Sequence, residues 1–222
     1  MGVLKSEMTN KSLSPETPER LMEAAGWVFA EKGFRNATIR DICKRAGANI
    51  AAVNYHFGDK EHLYIEVIKY AHRTLVKYQT DLGLDDNASA EERLKAFIMS
   101  FLLRIHEDGS PAWHGKLMLR ELTEPTSALD TFVEDTIRPQ FNLLNSIVRE
   151  LIGDDATVHE VRASSFSIIG QCLFYFHAMP VINRLVPQQK FKVKDIERLA
   201  EHISRFSLTA LRNRDEGEEK YL

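Results

Sequence analysis

Residues Thr38 to Lys60, TIRDICKRAGANIAAVNYHFGDK, constrain this chain more than any other stretch. Thr38 is a good helix N-cap, and Ile39, Ile42 and Ala46 recur on one face of the segment it opens. Gly47 stops that helix where the backbone must turn left-handed. Asn49 caps a second short helix, in which Ile50 and Val53, three positions apart, are expected to point inward. Its outward positions are then Asn49, Ala51, Ala52, Asn54, Tyr55 and His56, which are small, polar or aromatic rather than charged. Gly58 breaks the chain again, and Asp59 caps a long helix beginning Lys60-Glu61. Two short helices joined by a tight turn, with a capped third behind them, have the build of a helix-turn-helix.

That build has a chemical use. A helix from Asn49 to Tyr55 is about 10 Å long at ~1.5 Å per residue, and the major groove of B-DNA is about 12 Å wide. Ala51 and Ala52 would let the backbone approach base edges, while Asn49 and Asn54 each offer an amide donor and acceptor together. An Asn on adenine discriminates between bases by about 1–3 kcal/mol. Tyr55 and His56, at the end of the helix, suit phosphate oxygens, and Lys60 adds a positive charge nearby. Residues 32–60 carry Lys32, Arg35, Arg40, Lys44, Arg45 and Lys60 against Asp41 and Asp59, a local balance of +4 in a chain of net charge −3. Arg40 and Lys44 therefore join the candidate DNA contacts. The rest of the chain is acidic, which excludes a nonspecific nucleic-acid coater and fits a basic head on a body with another task.

Gly33-Phe34, Thr38-Ile39-Arg40-Asp41-Ile42, Ala46-Gly47, and Tyr55-His56-Phe57 followed by Lys60-Glu61 and Leu63 resemble the DNA-binding domain of TetR-family transcriptional regulators. The likeness runs from about Thr17 to Tyr70, across three helices. It implies phosphate contacts by Tyr55, His56 and Lys60, a phosphate at the helix N-terminus held by Thr38, and bases facing positions 49, 51, 52 and 54. Ile50 and the two alanines leave fewer polar base-readers than many relatives carry. NIAAVNYHFGDKEHLY, with Arg120-Glu121 and Pro125-Thr126 further on, also resembles the CecR-like branch of that family. The family resemblance implies an all-α chain with a three-helix helix-turn-helix domain followed by a larger helical domain for ligand binding and dimerisation.

The expected organisation is a flexible arm over 1–16, the helix-turn-helix domain over 17–62, the ligand-binding and dimerisation domain over 63–212, and a charged tail over 213–222. Thr17-Pro18-Glu19 opens the first helix, with Leu21, Ala24, Ala25, Val28 and Phe29 as its apolar stripe; Lys32-Gly33 ends it and Phe34 folds back. A helix over 59–82 buries Leu63, Val67, Ile68, Ala71 and Leu75, followed by a loop over 83–89. Ser89 caps the next helix, which Gly109-Ser110-Pro111 stops. Residues 112–152 read as two helices parted near Glu124-Pro125-Thr126, with Pro139 kinking the second or offsetting its start. A helix over 155–179 is apolar almost all round in its second half, and a final helix covers 193–211. A helix buried on more than one side implies a partner, for which a second copy of the chain is the simplest candidate.

Trp113, Met118, Phe132, Phe166, Phe174 and Met179, with His114, Arg120, Glu121 and His177 among them, could line a mostly apolar effector pocket, although aromatics at helical spacing also fit a plain core. Arg120 and Glu121 could instead form a buried ion pair. His106, His114, His159, His177 and His202 share no helical turn, so no metal site is expected, and no cofactor. Cys43 and Cys172 each lie in an apolar helical pattern and read as buried free thiols. The apolar run over 168–181 is broken by Gln171 and His177 and is too short to span a bilayer, so a cytoplasmic protein is expected. No nucleophile-and-base constellation suggests an enzyme. The rival reading is a helical dimeric adaptor that binds another protein without DNA or effector.

Overall fold

The computed structural model describes residues 17–76, 87–105, 113–188 and 191–213. The expected arm, the end of the long helix near Leu82, most of the 83–89 loop, the Gly109-Ser110-Pro111 stop and the charged tail lie outside them. Every regular element among the described residues is helical.

In the N-terminal unit, α1 (Thr17–Asn36), α2 (Ile39–Ala46), α3 (Ile50–Phe57) and the first part of α4 (Lys60–Val76) share one core. Leu21, Ala25 and Phe29 of α1, Ile42 of α2, Val53 of α3, and Leu63 and Val67 of α4 are fully buried. Gly33 (φ 76°, ψ 164°) bends α1 near its end. The bend turns the Phe34 ring back to 4.9 Å from Tyr64, while Phe29 meets Tyr64 edge-on at 4.8 Å. An edge-on ring pair contributes about 0.5–1.5 kcal/mol beyond its burial. The compact unit reaches Tyr70, later than the expected 62/63 boundary, because Leu63, Tyr64, Val67 and Ile68 belong to its core.

The C-terminal unit is built on α5 (Ala90–Ile105), α8 (Arg138–Ile152), α9 (Val158–His177) and α11 (Val193–Arg212). Its core joins Leu94, Ile98 and Leu102 of α5 to Leu144 and Val148 of α8, Ile168 and Cys172 of α9, and Ile196 and Ile203 of α11. Ser89 and Glu92 close a capping box at the start of α5, the Glu92 carboxylate accepting from the Ser89 N–H at 2.8 Å. At the rim of this core, Arg93–Glu150, Lys95–Glu201 and Arg212–Glu91 pair α5 with α8 and α11. Such exposed ion pairs contribute about 0–1 kcal/mol each.

Two expectations need correction here, and one holds. Residues 113–152 form two helical runs parted at Glu124-Pro125-Thr126, as expected: α6 (Trp113–Thr123), and an unbroken run of α7 (Ser127–Phe132), a π-helical segment (Val133–Ile137) and α8. The Arg138 N–H bonds to the carbonyl of Val133, five residues back. Pro139 has no N–H to continue the α ladder and would crowd the carbonyl four residues earlier, so the widened turn takes up the misfit. Next, α9 starts at Val158 rather than Asp155, because Thr157 and Glu160 form a capping box. Finally, the chain bends by 70° after His177 into α10 (Met179–Leu185), with Pro180 in its first turn. No single helix among the described residues is long and apolar enough to cross a membrane.

Candidate nucleic-acid interface

The turn between α2 and α3 is fixed at both ends. The Thr38 hydroxyl accepts the Asp41 N–H at 3.1 Å and donates to Asp41 Oδ2 at 2.8 Å, while the Thr38 N–H donates back to the same carboxylate. Lys32 Nζ lies 2.9 Å from that carboxylate. Its hydrogen bond, with those of Thr38, holds the Asp41 carboxyl below its ordinary range. Gly47 closes α2 with φ 62° and ψ 35°, a left-handed geometry that a β-carbon disfavours. Asn49 Oδ1 then accepts the Ala52 N–H at 2.8 Å and starts α3.

This capping decides which way α3 faces. Ala52 and Val53 are buried and His56 and Phe57 half-buried, whereas Ile50, Ala51, Asn54 and Tyr55 are exposed. The faces alternate as i, i+1, i+4, i+5, the two sides of one short helix. Two expectations are thereby exchanged. Ile50, read as inward, is 48% exposed, and Ala52, read as base-facing, is 4% exposed and packed on the small core. Apolarity alone does not set direction at the first turn of a helix; the cap does.

The other candidates divide by what already holds them. Asn54 and Tyr55 (75% exposed) stand on the outer face, the Tyr55 ring edge-on to that of His56 at 5.0 Å. Arg40 and Lys44 are exposed on α2. Asn49 is held in a capping orientation, its oxygen accepting from the Ala52 N–H. The Thr38 hydroxyl is committed to Asp41, so a phosphate at this helix end would meet backbone N–H groups. His56 has an enclosed Nε2 without a hydrogen-bond partner, which excludes that nitrogen as the phosphate donor in this arrangement. Lys60 departs furthest from expectation. Its ammonium donates to the Phe34 carbonyl at 3.0 Å and the Ala37 carbonyl at 3.2 Å, and lies 4.6 Å from the Phe34 ring centre. It closes the end of α1 rather than reaching freely toward solvent. Two basic residues outside the candidate contacts brace the same motif: Arg45 lies over the Trp27 ring at 5.1 Å, and Arg20 donates to the Ala46 carbonyl at 3.3 Å. Contacts spanning so many residues leave no pattern in the sequence.

The ten candidate effector residues differ in their surroundings. Trp113 is fully buried, its ring edge-on to His114 at 4.0 Å. Met118 and Phe132 are half-buried. Arg120 pairs with Glu124 at 3.5 Å, and the buried Glu121 carboxylate accepts from the Thr126 N–H at 2.8 Å and hydroxyl at 2.9 Å. Glu121 thus anchors the start of α7. Phe166 (61% exposed) stacks on Phe141 at 4.8 Å, Phe174 is 56% exposed, and His177 is exposed. A groove of about 420 Å³ runs instead between α9 and α11, floored by Ser164, Ser167, Gln171, Ser207 and Ala210 and edged by Phe206. None of the ten lines it. The described residues contain no His, Cys, Asp and Glu group able to hold a metal ion. Burial pushes the Cys172 thiol up to about 12 and raises that of Cys43.

Comparison with known proteins agrees with this geometry. The profile of the family described as "Bacterial regulatory proteins, tetR family" matches residues 21–67. That of "HTH-type transcriptional dual regulator CecR, C-terminal domain" matches residues 90–211. The chain is 27% identical over 175 residues to the HTH-type transcriptional dual regulator CecR of Shigella flexneri, covering 72% of this chain and 75% of that protein. Its fold is similar to AibR in complex with isovaleryl coenzyme A and operator DNA, with a TM-score of 0.61, 15% identity, and coverage of 86% and 97% of the two chains. It is also similar to the regulator FadR of Bacillus subtilis in complex with stearoyl-CoA, with a TM-score of 0.60, 18% identity, and coverage of 86% and 97%.

Proposed function

The chain belongs to the TetR family of bacterial transcriptional regulators, with a CecR-type C-terminal domain, and from that membership we propose that it is a cytoplasmic, ligand-released repressor acting as a homodimer on a pseudo-palindromic operator. The observation that carries the reading is the outer face of α3. Ile50, Ala51, Asn54 and Tyr55 are turned outward and uncharged, while Arg40 and Lys44 stand exposed on the preceding helix. Uncharged groups read base edges and charged ones hold phosphates, so the helix pair divides recognition from positioning.

A second copy supplies the other half-site. Phe166 and Phe174 on α9 and Phe206 (60% exposed) on α11 leave a large apolar area in water beside a groove floored by small residues. That surface suits a helix pair from a symmetric mate better than a small ligand. Two recognition helices would then meet one face of DNA about 34 Å apart, one helical turn.

The effector, largely apolar, binds within the C-terminal unit and lowers operator affinity. A coupling of about 1–3 kcal/mol per site, acting twice in a dimer, releases most of the bound population. Coenzyme A thioesters head the panel to be tried, since two proteins of similar fold are described with them. Regulators as relatives do not favour a DNA-free adaptor.

The test is selection of bound fragments from random duplex DNA by the full chain, followed by binding at increasing salt. Inverted repeats are expected, with affinity falling steeply as the salt concentration rises. Recovery of unrelated fragments, or binding indifferent to salt, would defeat the reading. A panel of lipophilic molecules and acyl-coenzyme A thioesters that leaves operator affinity unchanged would defeat the ligand-released part alone.

A further inference from the structure

The outer face of α3 carries one side chain that a merely solvated surface does not explain. Ile50 stands 48% exposed while the inward position two residues on is an alanine, the reverse of what burial would favour. Ile50 and Asn54 are one turn apart on a common stripe, with Ala51 and Tyr55 on the stripe beside it, so a branched aliphatic group and a primary amide face outward together. Asn49, at the same helix end, has its oxygen bound to the Ala52 N–H. That bond fixes the Asn49 amide in its capping orientation, whereas the exposed Asn54 amide can present donor and acceptor together in the two-point contact that singles out adenine.

Among the groups displayed in the major groove, one is apolar: the C5 methyl of thymine. From this face we infer that Ile50 is a specificity-determining residue that reads a thymine methyl, with Asn54 reading an adenine beside it. The inference rests on the DNA-binding reading above. Four residues of helix separate the two side chains by about 6 Å along the axis. With base pairs stacked about 3.4 Å apart, the thymine and adenine lie within roughly two base pairs of each other in each half-site.

The experiment starts from operators recovered by the full-length protein and replaces each thymine in turn by deoxyuridine, which removes only the methyl. Affinity is expected to fall about 4-fold per half-site at one thymine, the effect of leaving one methyl unburied. Ile50→Ala, whose fold is checked by circular dichroism, should bind thymine and uracil at that position alike while keeping the adenine preference. Asn54→Ala should lose the adenine preference and keep the discrimination between thymine and uracil. Equal affinity of the unaltered protein for thymine and uracil at every position overturns the inference and leaves DNA recognition intact. Discrimination that survives Ile50→Ala overturns it too. If no sequence is selected at all, the DNA-binding reading fails first and this one falls with it.

Discussion

Replacing Lys60 by Met separates a structural lysine from a phosphate-binding one. The substitution keeps an unbranched apolar stem against Phe34 and removes the ammonium that holds the Phe34 and Ala37 carbonyls. A hydrogen bond from a charged donor contributes about 1.5–3 kcal/mol. The half-buried site lets water reach both carbonyls once the ammonium has gone, so the pair together is expected to contribute about 2 kcal/mol rather than the sum. The slowest-exchanging amides of α1 and α4 report the opening of the N-terminal unit, and hydrogen exchange there should quicken about 30-fold in the full chain. Operator affinity should fall in parallel, with an unchanged slope against the logarithm of salt concentration. A lysine whose main partner is phosphate behaves in the opposite way: exchange stays put and the slope flattens by about 0.9 for each phosphate no longer neutralised. That second pattern would refute the assignment of Lys60 to the end of α1.

Further outcomes follow from the same geometry. Asp41 is held below its ordinary carboxyl range by Lys32 and Thr38, so its contribution is fully present above the unfolded value of about 3.9 and is lost as pH falls through the lower folded value. Asp41→Asn should remove that part of the acid transition of α2, which amide exchange or NMR can follow between about pH 5 and 2. Glu121→Ala leaves the Thr126 N–H and hydroxyl without their carboxylate and should destabilise the C-terminal unit by about 1–3 kcal/mol in urea denaturation. Unchanged stability there would refute its anchoring role. Cys172, buried and with a thiol pushed up to about 12, should resist iodoacetamide at pH 8 in the native protein and react once urea opens the unit. Rapid native labelling at that site, read by mass spectrometry, would contradict its burial.

Local chemistry makes the N-terminal unit legible. The Thr38 cap, Gly47 and Gly58 set the bounds of α2 and α3, and the spacing of Leu21, Ala25 and Phe29 marks the buried side of α1. Direction within a short helix is not legible. Ile50 reads as inward because it is apolar, yet Asn49 capping fixes a helix phase in which Ala52 packs and Ile50 does not. Thr157 and Glu160 do carry a readable start signal for α9, hidden by the acidic pair just before it. The bend into α10 is masked because apolar side chains continue across it; Pro180 is the one sign of a new first turn. Roles set by distant neighbours, such as Lys60 on Phe34 or Arg45 on Trp27, leave no periodic trace. The effector candidates differ in burial for a related reason: spacing identifies a face but not what covers it, and Phe166 is exposed where Trp113 is enclosed.

The π-helical segment before Pro139 has a bearing on how this chain can be altered. A widened turn is equivalent to one residue added to an ordinary helix, and one residue turns everything downstream by about 100°. Val133–Ile137 therefore acts as a phase setter between α7 and α8, bringing Leu144, Ile147 and Val148 round to the core. Deleting a single residue there would give a more regular helix and a worse protein, because the buried stripe of α8 would rotate toward water. Local ideality and correct registration are opposed at this point, and the chain keeps the registration.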